Sequence, residues 1–202
     1  MEKIIMKPRI FILSNGELAE PQYFHDFKRH LKANNIRVIE YKRFRGKAPW
    51  EFIDEAVKCK HGFERSGKFI ELDGDQFWCV FDVDDYWAQN QKRFKEACVI
   101  AKRAGIRLAW SNECFELWFL CHFGQFSSAV PRKDYHKKLS QYFKENGLGV
   151  YKKNMENMFR FLLSFQSAGI NNARRIYSKD KIDKNPSSAV FLLVEEMNNL
   201  AK

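Results

Sequence analysis

The chain has 202 residues, of which 45% are hydrophobic and 15% aromatic, and this composition excludes a disordered protein and favours a folded, globular one. Its formal net charge of +10 favours an anionic partner such as a nucleic acid. No apolar run reaches the length of a transmembrane helix, and the five cysteines include no Cys-x-x-Cys spacing. We therefore expect a cytoplasmic protein with free thiols, without a membrane anchor or a zinc knuckle.

Strand and helix patterns alternate through the first 125 residues. Runs rich in β-branched and aromatic residues predict strands at 9–14, 36–41, 77–82 and 106–110. Apolar residues at helical spacing predict helices from Pro21 to the Asn34-Asn35 pair, over about 49–58, over 88–104, and from a cap at Ser111 or Asn112 to Phe123. This alternation is typical of βαβ units, so we predict an α/β fold with a largely parallel sheet.

The rest of the chain, residues 126–202, shows no clear strand pattern. Helical patterns fill 132–202 and are separated by Gly147, Gly149, Gly169 and the Asn185-Pro186 pair. Residues 126–202 contain 14 Lys and Arg against 7 Asp and Glu, so they supply +7 of the net charge of +10. We therefore predict an α/β core at 1–125 and a helical, basic C-terminal region at 126–202 packed on it, with its positive face beside the carboxyl edge of the sheet.

Polar residues follow three of the predicted strands, at 15–20, 82–85 and 111–116. In a parallel sheet the carboxyl ends of the strands lie along one edge, and ligands bind there. The three groups should therefore converge. Because carboxylates are the ligands that Mg²⁺ prefers, this convergence favours an acidic metal site of the kind used in phosphoryl transfer.

The third of these strands ends in the acidic run Asp82-Val83-Asp84-Asp85. Asp82 and Asp84 are two residues apart on extended chain, so they should point the same way and could share one divalent cation. We expect both to lie within a few ångströms of Glu17 or Glu20 at the sheet edge. The alternative is an acidic turn in which Asp85 caps the following helix.

Glu116 lies in an otherwise apolar helix after the fourth strand, where a charged side chain needs a partner. An active-site role is one explanation, and a capping box with Ser111 or Asn112 is the other. Two basic segments, Lys42-Arg43-Phe44-Arg45 and Lys152-Lys153, mix charge with aromatic residues, as nucleic-acid-binding surfaces do. A solvated protein face would show the same pattern.

Several motifs of the chain resemble the RloB family. They are Ser14-Asn15-Gly16-Glu17, Glu20-Pro21-Gln22-Tyr23-Phe24, Phe81-Asp82-Val83-Asp84-Asp85, and the long run from Ser111-Asn112 through Phe115-Glu116-Leu117-Trp118 to His122-Phe123. Tyr151-Lys152-Lys153-Asn154 and Asn185-Pro186-Ser187-Ser188 resemble the family's C-terminal part. The resemblance spans most of the chain, and the run that begins at Ser111 is its most specific motif.

This resemblance implies a Toprim-like parallel-sheet core with a helical C-terminal part. It also implies a Mg²⁺- or Mn²⁺-dependent nuclease that acts in anti-phage defence by abortive infection or restriction, with RNA favoured as substrate and an ATPase from the same locus as a possible partner. By the same resemblance, Arg174 and Arg175 lie in a late helix that would contact phosphate.

One departure from the family pattern concerns catalysis. Toprim-type sites usually present a glutamate before the glycine that follows the first strand, and this chain has Asn15 there. An amide carries no charge and cannot act as a general base, so Glu17 or Glu20 would have to replace the missing acid.

Two hypotheses follow from this departure. In the first, the catalytic residues are Glu20, Asp82, Asp84 and Glu116, with Asp82, Asp84 and Glu17 as metal ligands and Lys42, Arg43, Arg45, Lys152, Lys153, Arg174 and Arg175 as nucleic-acid-binding residues. In the second, the chain is a non-catalytic effector that binds a nucleic acid or another partner. A small-molecule or nucleotide-binding protein is disfavoured because the chain has no glycine-rich loop.

Overall fold

The structure is a computed structural model that describes residues 8–39, 45–179 and 181–200. Within these residues one sheet has five strands in the order β2-β1-β3-β4-β5. The strands are β1 (Ile10–Ser14), β2 (Ile36–Ile39), β3 (Gln76–Asp82), β4 (Ile106–Asn112) and β5 (Ser187–Ser188). The first four are parallel and β5 runs antiparallel to β4. The predicted α/β class is confirmed, and the arrangement is consistent with a Toprim-like core.

Both faces of the sheet are covered. Along β1, Ile10 and Ile12 face one apolar cluster, whereas Phe11 and Leu13 face another. Side chains alternate between the faces of a strand, so a strand buried on both faces needs a continuous apolar run. This requirement explains why the strand patterns were readable from the sequence.

Helices fill the space on both sides of the sheet. They are α1 (Ala19–Leu31), α2 (Pro49–Arg65), α3 (Tyr86–Gln89), α4 (Gln91–Arg103), α5 (Glu116–Cys121), α6 (Tyr135–Glu145), α7 (Met158–Leu162), α8 (Gln166–Ile176) and α9 (Val190–Leu200). Short 3₁₀ turns lie at Glu71–Asp73, Arg132–Asp134 and Leu163–Phe165. No helix in the described parts of the chain is both long enough and apolar enough to cross a membrane. All five cysteines are free.

Three predicted helix boundaries were wrong. Helix α2 continues to Arg65, beyond the predicted end near residue 58. The helix predicted over 88–104 is divided at Asn90, whose side chain accepts a hydrogen bond from the Arg93 N–H and so starts α4. Gly169 lies inside α8 and not between helices. A glycine is favoured at this position because a Cβ there would lie 3.0 Å from the His122 ring.

The predicted caps of the helix before Phe123 were also wrong. Ser111 and Asn112 belong to β4, and α5 begins only at Glu116. The Ser111 hydroxyl lies 2.9 Å from the Ser188 hydroxyl, so this side chain joins β4 to β5. The strand β5 had not been predicted. It is two serines long, and no apolar run indicates it.

The C-terminal helices share the largest apolar cluster with the sheet. Residues from α6, α7, α8 and α9 pack in this cluster together with Tyr23 and Phe27 of α1 and Trp118 of α5. These contacts hold the loops that follow α5 and α6 against the carboxyl edge of the sheet. The division at residue 125 into core and C-terminal region stays a prediction.

Candidate functional site

A cavity of about 360 Å³ opens at the carboxyl ends of β1, β3 and β4. The side chains that line it include five carboxylates and two cations: Glu17, Glu20, Asp82, Asp84 and Glu116, with Arg132 and Lys153. All the residues predicted to be catalytic or metal-binding therefore line one cavity. Both cations belong to residues 126–202, the basic part of the chain.

Three of the carboxylates are crowded and poorly compensated. Glu20 and Glu116 are 5% and 6% exposed, and Asp82 Oδ1 is buried with no hydrogen-bond partner among the described residues. Burial, and then repulsion from Glu116, raise the pKa of Glu20 to about 7, although its own backbone N–H and Lys153 act in the opposite direction. Burial, then Glu20 and Glu116, raise the pKa of Asp82 well above its ordinary value. This site therefore favours additional positive charge.

The glycine after β1 makes room for one of these carboxylates. Gly16 lies directly under the Glu20 side chain, and a Cβ at position 16 would overlap both carboxylate oxygens. Glu20 is in the first turn of α1, where helix N–H groups favour a negative charge. The Asn15-Gly16 pair therefore does more than form a turn, because the missing side chain of Gly16 leaves the space that the Glu20 carboxylate occupies.

Asn15 binds a neighbouring loop through its side chain. Its Nδ2 donates to the Lys47 carbonyl at 2.7 Å, and its Oδ1 accepts from the Lys47 N–H at 3.1 Å. The Asn15 carbonyl also accepts from the Gly46 N–H at 3.2 Å. A glutamate could not donate to the Lys47 carbonyl, so an amide at this position has a structural use that the family pattern does not suggest.

Arg132 neutralises one of the predicted metal ligands. Its Nη1 donates to Asp84 Oδ2, and this contact raises the pKa of the guanidinium further. Asp84 has a φ of 46°, a left-handed conformation that aspartate tolerates better than most residues, and its N–H donates to the Glu113 carbonyl at 3.0 Å. Arg132 was missed from the sequence because 48 residues separate it from Asp84.

Glu116 is held by aromatic residues and not by a capping box. The buried Tyr151 hydroxyl donates to Glu116 Oε1 at 3.2 Å, and His136 Nε2 lies 3.8 Å from the same oxygen. The capping-box alternative with Ser111 or Asn112 is wrong, because both residues lie in β4. Asp85 stands at the start of α3, but its side chain makes no capping hydrogen bond.

The predicted nucleic-acid-binding residues fall into different environments. Lys153 lines the carboxylate cavity, whereas the adjacent Lys152 is exposed and does not line it. Arg45 begins the loop that Asn15 holds, and it is partly buried. Lys42 and Arg43 lie outside the described residues.

The two arginines of the late helix have opposite surroundings. The Arg174 guanidinium donates to Glu195 and lies 5.5 Å from the Phe191 ring centre. Arg175 lines a separate cleft at the end of α8. Phosphate contact by Arg174 and by Arg175 stays a prediction.

The donor atoms of the cavity decide which kind of metal ion could bind there. Over 8–39, 45–179 and 181–200, no three His, Cys, Asp or Glu side chains form a group that could hold a metal ion by themselves. Mg²⁺ does not require such a group, because it usually keeps several waters and binds one or two carboxylates together with substrate phosphates. The unpaired Asp82 Oδ1 and the crowded carboxylates therefore fit Mg²⁺ or Mn²⁺ better than a fully protein-coordinated metal.

Comparison with known proteins gives one match. The family model described as RloB-like protein matches residues 10–197, nearly the whole chain. No curated protein and no solved structure matches the chain. The chain belongs to the RloB-like protein family.

Proposed function

We propose that the protein is a Mg²⁺- or Mn²⁺-dependent nuclease that hydrolyses phosphodiester bonds in a nucleic acid. The observation that carries this proposal is the group of mutually repelling carboxylates of Glu20, Asp82 and Glu116. Glu20 and Glu116 are buried, and Asp82 Oδ1 has no partner among the described residues. A metal ion and a substrate phosphate would supply the missing charges. The position at the carboxyl edge of a parallel sheet is where such folds bind ligands.

Asp82 would hold the metal through Oδ1, with Glu20 beside it. Asp84 could bind the metal only after its ion pair with Arg132 breaks. The exposed Glu17, at the cavity mouth, would contact the metal through a bridging water. When bound, the ion would neutralise phosphate charge and lower the pKa of an attacking water.

The remaining polar residues have roles in binding and proton transfer. Lys153 and Arg132 would bind the phosphate oxygens at the cavity mouth. Glu116 Oε1, oriented by the Tyr151 hydroxyl, would accept the proton from the water that attacks phosphorus. The bond between phosphorus and the leaving oxygen then breaks, and a protonated Glu20 would supply the proton that this oxygen takes up.

RNA as the substrate, an ATPase as a partner, a cytoplasmic location and a role in anti-phage defence are parts of the same proposal. RNA, the ATPase and the defence role rest on the resemblance to the RloB family. The chain's net charge of +10 supports an anionic partner of either kind, RNA or DNA.

A non-catalytic nucleic-acid-binding effector is the second candidate. The specific observation in its favour is Asn15, whose side-chain amide makes two hydrogen bonds with the Lys47 backbone and provides no negative charge to the cavity. Metal binding without cleavage would be expected of such a protein.

The test is cleavage of labelled RNA and DNA by the purified chain with Mg²⁺, Mn²⁺ or EDTA. We expect cleavage that requires the metal, is lost in Asp82→Asn and is kept in Asp85→Asn, which removes an exposed carboxylate three residues away. Cleavage that survives Asp82→Asn would contradict the proposed site. Metal binding with no cleavage of either nucleic acid would favour the effector.

A further inference from the structure

We propose that a second cleft binds a phosphate of a single-stranded nucleic acid while the neighbouring base stacks on Phe126. The cleft, about 300 Å³ in volume, is called the Arg175 cleft here, and its lining includes Gln125, Phe126, Ser127, Arg175, Lys184 and Pro186. The inference rests on the proposed function for the identity of the ligand as a nucleic acid, but not for any catalytic step.

The charge of the Arg175 cleft is uncompensated. Arg175 and Lys184 are exposed, form no ion pair with a carboxylate in the described ranges, and share their cleft with no described Asp or Glu. A larger cavity of about 830 Å³ provides a contrast. Its Arg107 lies 2.9 Å from Glu196, so the charge of that cation is locally balanced.

The chemistry of the lining matches a nucleotide. A guanidinium can donate two parallel hydrogen bonds to a phosphate, and a lysine adds a point charge. Phe126 packs against the larger apolar cluster but stays partly exposed, and aromatic rings stack on bases of any sequence. Ser127 and Gln125 add hydrogen-bonding groups. A base paired in a duplex could not reach the ring without leaving its partner, so this lining favours single strands.

The Arg175 cleft lies next to the sheet edge that carries the carboxylate cavity. Pro186, which lines the cleft, precedes Ser187, and Ser187 pairs with Asn112 at the carboxyl end of β4. The Asn112 side chain donates to the Ile182 carbonyl at 3.2 Å and so holds the segment that bears Lys184. A strand bound in this cleft would therefore approach the sheet edge where cleavage is proposed.

Arg174 provides a matched control for this proposal. It is the residue before Arg175, belongs to the same helix and carries the same charge, but it donates to Glu195 and lies over Phe191. A variant at either arginine changes the net charge of the protein by the same amount. A difference in nucleic-acid affinity between the two variants would therefore be due to the cleft and not to the overall charge.

The experiment measures binding of three fluorescein-labelled ligands to the full chain in EDTA over a series of salt concentrations. They are a single-stranded RNA of about twelve nucleotides, single-stranded DNA of the same sequence, and that DNA annealed to its complement. Arg175→Gln and Lys184→Gln should each weaken binding by roughly tenfold and lower the salt slope by about one. Phe126→Leu should weaken binding by about tenfold without changing the slope. Arg174→Gln should stay within about twofold of the wild type.

Equal weakening by Arg174→Gln and Arg175→Gln would overturn the proposal, as would unchanged binding by Phe126→Leu or tighter binding of duplex than of both single strands. The affinities measured for RNA and for DNA show which of the two nucleic acids the protein binds more tightly. Loss of cleavage in Asp82→Asn with normal binding by Arg175→Gln would refute this inference alone. If the wild type never cleaves but Arg175→Gln binds nucleic acid more weakly, the proposed binding at the Arg175 cleft would be supported. Only the proposed nuclease activity would then be refuted.

Discussion

The metal-free protein should become more stable when Glu20 is replaced by glutamine, although the same change should abolish cleavage. Burial, and then repulsion from Glu116, raise the pKa of Glu20 from 4.5 to about 7, with Lys153 acting against them. Glutamine keeps the shape of the side chain and can still accept the backbone hydrogen bond. It removes the charge that the cavity tolerates poorly in the absence of a metal.

The size of the effect follows from the two pKa values of Glu20. Between about pH 4.5 and pH 7 the folded protein binds more protons than the unfolded chain, so the free energy of unfolding falls as the pH rises through this range. Each pKa unit corresponds to about 1.4 kcal/mol, which puts the cost of an ionised Glu20 above pH 7 at about 3 kcal/mol. For a chain of this length, the melting temperature of Glu20→Gln should rise by roughly 6 to 12 °C at about pH 8.

Thermal and urea unfolding of both proteins in EDTA, at about pH 5 and about pH 8, measures this gain. Most of the gain should be absent at the lower pH, where Glu20 in the folded wild type is protonated. Glu17→Gln is the control, because Glu17 lines the same cavity but is exposed. A Glu20→Gln protein that is no more stable than the wild type at the higher pH would refute the reasoning.

Two further variants test the arrangement of the cavity. Arg132→Gln should tighten Mn²⁺ binding by about twofold to fivefold in calorimetric titration, because the guanidinium competes with the metal for a partly exposed carboxylate. Lys133→Gln should leave binding unchanged, and weaker binding by Arg132→Gln would contradict the competition. Gly16→Ala should impair cleavage as much as Glu20→Gln, since its Cβ would displace the Glu20 carboxylate. Gly62→Ala, where a Cβ meets no atom within 4 Å, should keep full cleavage, and an active Gly16→Ala protein would contradict the placement of Glu20.

The parallel sheet was predictable from the sequence because its strands are rich in buried β-branched and aromatic residues. β1 and β3 are largely apolar and buried, β2 and β4 are each interrupted by one exposed arginine, Arg37 and Arg107, and turns separate the four strands from amphipathic helices. The strand β5 carries no such signal. Ser187 and Ser188 join the sheet through backbone pairing with Ser111 and Asn112 and through a hydroxyl contact, which only the folded chain brings together.

The candidate site was predictable to the extent that its acids follow strands. Asp82 ends β3, and Glu20 and Glu116 each lie in the first turn of the helix that follows a strand, so sheet topology alone brings them to one edge. Arg132 and Tyr151 reach the same cavity from loops of the C-terminal region. Their positions depend on how the late helices pack, and no local pattern in the sequence encodes that packing.

Asp82 is the residue proposed to bind the divalent cation, in the cavity that it shares with Glu20 and Glu116. Electron paramagnetic resonance of free Mn²⁺, titrated with the purified chain near neutral pH, tests this binding directly. The account predicts binding by the wild type, retention in Asp85→Asn, and weakening of about tenfold or more in Asp82→Asn, because the unpaired Oδ1 is the proposed ligand. A wild type that leaves Mn²⁺ free, or an Asp82→Asn protein that binds it equally well, would contradict the account.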